Sequence, residues 1–140
     1  MENGHFKSKK IELKKVHNEP KRRVIYEPSL FGFNDIKGTG KFVRVCIIDS
    51  GVPIHKDIII DEYKSKNFTQ SGSVRDVYGH STAISGIIAA NGKNGIKGFA
   101  PETDLYFAKA LLDENGEGDF DYVIKALLWS IVRDVDIVLM

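Results

Sequence analysis

The sequence predicts an α/β domain, a three-layer, mostly parallel sheet with helices on both faces. Three observations carry this expectation. The stretch Val43-Arg44-Val45-Cys46-Ile47-Ile48-Asp49-Ser50-Gly51 is apolar at every position from 45 to 48. Such a run suits a strand buried on both sides, as in a parallel sheet covered by helices. Two further apolar runs follow, at residues 105–111 and 135–140, and a helical pattern separates each successive pair. Strand, helix, strand, helix, strand is the order of right-handed parallel crossovers. The third run ends at residue 140, so the expectation is an incomplete domain whose remaining elements follow it.

Composition bounds the rest. A chain of 140 residues is about one small domain, and 42% hydrophobic residues supply a core. The 20 basic and 19 acidic residues nearly cancel, which gives no general argument for nucleic acid or a membrane surface. No run of 18 apolar residues exists to span a bilayer. The single cysteine, Cys46, lies inside an apolar run and reads as a small buried hydrophobe. The first 15 residues contain no apolar signal-peptide core, so a reducing, cytoplasmic setting is expected.

Residues 1–23 are polar and basic, and read as a mobile or loosely docked arm. Residues 24–140 form the domain, with Val24, Ile25, Leu30, Phe31 and Phe33 anchoring a short helix or turn. The glycine-rich segment 37–41 precedes a strand, whereas a phosphate loop would follow one. Residues 61–79 are turn-rich and read as a long surface segment. A small-residue helix opens at Gly79-His80-Ser81-Thr82-Ala83. Gly86 inside it costs about 1 kcal/mol relative to Ala, a cost expected where another backbone approaches closely. After the second strand and a turn-rich loop at 113–118, Asp119 is the expected N-cap of an amphipathic helix carrying Phe120, Val123, Ile124, Leu127, Leu128 and Ile131. Asp121 and Arg133 suit the two ends of its dipole.

Ligands of open α/β sheets sit outside the carboxyl ends of strands. Asp49 is at such an end, and Ser50-Gly51 permits a sharp turn there. By itself Asp49 could simply start an Asx turn. His80 lies 31 residues later, at a helix start. The helix dipole disfavours a protonated imidazole there, and a neighbouring carboxylate would offset that and hold one tautomer. An acid that orients a histidine base is two thirds of a Ser-His-Asp triad. Taken alone, His80 reads as a capping or surface histidine.

Together these segments resemble the subtilisin-like serine proteases. Residues 43–51 look like the family's aspartate motif, and residues 79–86 like its histidine motif. Gly98-Phe99-Ala100-Pro101 is similar to the Gly-x-Ala-Pro turn before the next strand, and Asp136-Ile137-Val138 with Met140 to the strand leading to the substrate-lining segment. Lys66-Asn67-Phe68-Thr69, with no signal-peptide core, resembles the intracellular branch. The resemblance implies a serine endopeptidase acting on protein or peptide substrates, with Asp49 orienting His80 and His80 acting as general base and then acid. It implies that the loop from Leu111 through Gly116 to Gly118 pairs with an extended substrate by strand addition. No cofactor is implied for the chemistry. Asp57 matches a position that often binds a structural calcium, although the loop after His80 is shorter than in calcium-binding members, and a surface acid is the alternative. The nucleophilic serine and the oxyanion-hole asparagine of the family fall beyond residue 140, so the chain alone is expected to be inactive.

Departures from the family pattern are Ser81 for glycine, Ala83 for a frequent histidine and Leu139 for a usually polar residue. Two rivals stand beside the protease reading. One is a pseudoprotease or peptide-binding module that uses the sheet edge without chemistry. The other takes Gly79-His80-Ser81-Thr82-Ala83 as an α/β-hydrolase nucleophile elbow with Ser81 as nucleophile. Against the elbow stand Ala83 where glycine is expected, a polar segment where a strand should precede it, and four histidines that all come before Ser81.

Overall fold

A computed structural model describes residues 37–140 and the backbone strand Lys10–Glu12. The expected anchor at residues 24–34 lies outside the described residues, as does the basic arm apart from those three positions. The strands are β1 (Lys10–Glu12), β2 (Arg44–Asp49), β3 (Ser65–Asn67), β4 (Asp104–Lys109), β5 (Glu117–Asp119) and β6 (Ile137–Leu139). The helices are α1 (His80–Ala89) and α2 (Phe120–Val132).

Strands β3, β4, β2 and β6 lie side by side in that order, every neighbouring pair parallel. The central pair runs from Arg44 opposite Asp104 to Asp49 opposite Lys109. Alternation along β2 separates two cores. Val45 and Ile47 pack with Leu105, Phe107, Ile58 and Ala89, against the α1 side. Cys46 and Ile48 pack with Ala108, Ala126 and Trp129, against the α2 side. The three-layer expectation is therefore met, with both faces of β2 buried. Phe68 and Tyr106 meet the Trp129 ring edge-on at 6.1 and 6.2 Å, a favourable aromatic geometry. Burial pushes the Cys46 thiol up to about 12.

Helix α2 starts as expected, with Asp119 accepting from the Asp121 N–H at 3.0 Å. Several details differ from expectation. Within the supposed surface segment, Asp61 caps a short helical turn at Glu62–Lys64, and Ser65–Asn67 then adds an edge strand to β4. Strand β6 pairs with β2 but is 37–52% exposed, so it is an open edge rather than a buried strand. In the basic arm, expected to be mobile or loosely docked, Lys10–Glu12 pairs antiparallel with β5.

The close approach expected at Gly86 is at Gly98. A methyl group on Gly86 would meet nothing within 4 Å, whereas one on Gly98 would lie 2.6 Å from the Ile88 carbonyl. Gly98, Phe99 and Ala100 donate their N–H groups to the carbonyls of Ala90, Ile87 and Ile88 at 2.8, 3.0 and 2.7 Å. The returning loop thus satisfies acceptors that a helix end leaves unpaired. Opposite outcomes follow for one substitution at two sites. Gly86→Ala is expected to stabilise by about 1 kcal/mol, and Gly98→Ala to destabilise by about 1–3 kcal/mol. Urea midpoints of the two variants check this, and a common sign at both sites would contradict it.

Candidate active site

At the end of β2 the chain turns away sharply. Gly51 has φ 132°, and a side chain there would run into the Val74 carbonyl, so glycine is required. Val52 donates to the Val74 carbonyl and Asp76 donates to the Val52 carbonyl, each at 2.8 Å. This short bridge brings residues 74–76 beside Ser50. Gly79, with φ 95°, then turns the chain into α1, and His80 is its first residue.

Asp49 and His80 meet there. Asp49 Oδ2 is 2.8 Å from His80 Nδ1, within the reach required of a base and the acid that orients it. Asp49 Oδ1 accepts from the Ser50 N–H at 2.6 Å and lies 2.9 Å from Ser50 Oγ. Side-chain exposure is 6% for Asp49 and 40% for His80. The acid is therefore buried, and the ring keeps a face open to solvent. With an ionised carboxylate as acceptor, Nδ1 carries the proton and Nε2 presents a lone pair. That is the tautomer a general base needs.

Ser81, the next residue, is fully buried, and its hydroxyl has no hydrogen-bond partner. The elbow alternative needs an exposed hydroxyl beside a base, and the segment before α1 is not a strand. Ser81→Ala is expected to raise stability by about 1 kcal/mol, because it removes an unsatisfied buried group. Thermal unfolding of the variant checks this; a lower midpoint would show that the hydroxyl has a partner after all.

The proposed substrate-lining residues lie along one loop. Leu111 is buried, and its N–H and that of Ala110 both donate to the Asp49 carbonyl, at 3.2 and 2.8 Å. The loop therefore starts at the acid itself. Gly116 has φ 67° and sits under the Tyr78 ring, two residues before His80. Gly118 is the middle residue of β5, opposite Ile11 of β1. That edge thus takes an extended segment in antiparallel register.

Asp57 stands apart from this cluster and is fully buried, so it is not a surface acid. Its carboxylate accepts from the Asn94 N–H at 2.7 Å, Asn94 Nδ2 at 2.8 Å and the Ile96 N–H at 3.3 Å. Desolvation pushes this carboxyl up, but the hydrogen bonds from Asn94 and Ile96 outweigh it and hold the group below its ordinary value. A hard cation asks for six or more oxygen ligands. Here the hydrogen-bond partners of the Asp57 carboxylate are N–H groups, and no cluster of three or more His, Cys, Asp or Glu side chains suited to a metal occurs among the described residues. Through these contacts Asp57 ties down the loop after α1.

The sequence reading missed Asp76 and Lys109. Asp76 is buried and accepts from Gly79 N, Thr82 N and Thr82 Oγ1 at 2.7, 2.7 and 2.6 Å. It caps α1 from outside, since Gly79 has no side chain to do so. The available signal was an acid three residues before a glycine that opens a helix. Lys109 is fully buried and donates to the Arg75 carbonyl at 2.6 Å and to Asp113, which fixes the segment carrying Asp76.

With this geometry in place, comparison with known proteins decides the family. The model of the subtilase family, peptidase S8, matches residues 40–140. The chain belongs to the subtilase family. Subtilases similar to it include the major intracellular serine protease of Bacillus subtilis (strain 168), 35% identical over 126 residues, covering 84% of this chain and 38% of that protein. An intracellular serine protease of Paenibacillus polymyxa is 34% identical over 139 residues, covering 93% of this chain and 41% of that protein. The minor extracellular protease Epr of Bacillus subtilis (strain 168) is 41% identical over 102 residues, covering 71% of this chain and 15% of that protein. The chain spans less than half the length of each of these subtilases. Among the described residues no helix is long and apolar enough to cross a membrane.

Proposed function

We propose that this chain carries the acid–base part of a subtilisin-type serine endopeptidase. The observation that carries the reading is the 2.8 Å contact between the buried Asp49 carboxylate and His80 Nδ1 at the rim of the sheet. Asp49 fixes the imidazole and stabilises the imidazolium that forms. His80 takes the proton of an attacking serine through Nε2, then returns it to the leaving amine. A serine nucleophile and oxyanion donors complete this chemistry beside His80. Peptide or protein substrates lie extended along the loop of Leu111, Gly116 and Gly118, and the β1–β5 pairing supports strand addition at that edge. A cytoplasmic setting goes with this reading, since two of the similar proteins are intracellular serine proteases.

One observation also favours a peptide-binding module without catalysis: the β5 edge already accepts a strand. Peptide hydrolysis by protein extended downstream of residue 140, together with labelling by an active-site serine probe, separates the two. Hydrolysis and labelling that both depend on His80 support the endopeptidase. Peptide capture by a folded protein with neither activity supports the binding module.

A further inference from the structure

We propose that Asp76 is the positioning residue behind the Asp49–His80 pair, acting through the Ser50 hydroxyl and through the first turn of α1. The proposal rests on reading Asp49 and His80 as the working pair. Ser50 Oγ lies 2.9 Å from Asp49 Oδ1 and 2.8 Å from Asp76 Oδ1, and it accepts the Ser81 N–H at 3.1 Å. A hydroxyl has one proton, so two buried carboxylates share a single donor. The oxygen is held between them wherever that proton resides.

The contacts close a ring. Asp76 grips Gly79 N and Thr82 N on either side of His80. Ser81 N returns to Ser50 Oγ, Ser50 holds Asp49 Oδ1, and Asp49 Oδ2 meets His80. The same carboxylate therefore orients the backbone that carries the base and the oxygen that steadies the acid. Lys109 anchors the ring from behind through the Arg75 carbonyl, the residue before Asp76. A cap alone would not need to hold the hydroxyl that steadies the acid of the pair.

Asparagine is a discriminating substitute. Each Asp76 oxygen accepts from a backbone N–H, Gly79 at Oδ1 and Thr82 at Oδ2. An amide turned either way sets its NH₂ against one of these donors. Asp76→Asn thus breaks one arm of the ring while keeping shape. Ser50→Ala removes the link between the carboxylates and the acceptor of the Ser81 N–H, and leaves the Asp76 cap of α1 and the Ser50 N–H in place.

The test is nuclear magnetic resonance of the His80 Nδ1–H proton and its solvent exchange in the isotope-labelled chain. Asp49→Asn is expected to abolish the hydrogen-bonded, low-field signal. Asp76→Asn and Ser50→Ala are each expected to move it upfield and to speed its exchange about tenfold, while amides of the second half of α1 keep their protection. An unchanged signal in Ser50→Ala, with Asp49→Asn abolishing it, overturns the role of Asp76 and leaves the pair intact. A signal that survives Asp49→Asn overturns the pair itself, and the proposal with it. Should Asp76→Asn fail to fold, Ser50→Ala decides alone.

Discussion

Asp49→Asn is expected to lower peptide turnover by about 10⁴-fold while leaving the fold in place. The carboxylate has three donors around it, His80 Nδ1, the Ser50 N–H and Ser50 Oγ. An amide can keep the Ser50 contacts by turning its oxygen toward them. Its NH₂ then faces Nδ1 and can only donate. His80 responds by placing its proton on Nε2, which leaves no base where the serine must be deprotonated. The loss is thus one of tautomer rather than of architecture. Kinetics on protein extended downstream, paired with circular dichroism, measures both halves of the claim. A fall of less than about tenfold with an unchanged spectrum would remove Asp49 from the mechanism.

His80→Ala is expected to cost more, up to about 10⁶-fold in turnover. It removes the proton acceptor itself, whereas the asparagine change only misdirects it. Combining the two substitutions should add little, because residues acting as one unit are strongly non-additive. The ring is 40% exposed and lies at the first position of α1, so its truncation leaves no large cavity, and a small stability change is expected. If the double variant lost activity as the product of the two single losses, Asp49 and His80 would be acting separately.

Much of the fold was legible because the decisive elements are long and consistent with their surroundings. The apolar run of β2 ends in an acid, which gave both the strand and Asp49. Asp119 ahead of a helical apolar stripe gave the start of α2. What escaped is built from short polar pieces. Ser65–Asn67 carries no β-branched residue and becomes a strand only because the edge of β4 is there to pair with. Lys10–Glu12 likewise takes its form from β5, a partner more than 100 residues away. Gly86 and Gly98 show the same limit. The sequence reading registered a tight contact on α1, but only the path of the returning loop decides which backbone makes it. At the site, Asp49 and His80 were visible as residue types at chain turns. Asp76 was not, because its role depends on three contacts that the Gly79 turn folds back onto it.

The position of Cys46 turns the chain into its own clock. Its thiol lies in the middle of the central strand, fully buried, with its ionisation pushed up to about 12. Alkylating reagents attack the thiolate, so the native thiol is shielded twice, by access and by charge. Labelling can proceed only in moments when β2 separates from β4 or from the α2 layer. The rate at which a maleimide enters at neutral pH therefore counts openings of the very strand that holds Asp49. Slow labelling that accelerates in step with global unfolding in urea is expected, and it would show that the acid end of the site has no private route to disorder.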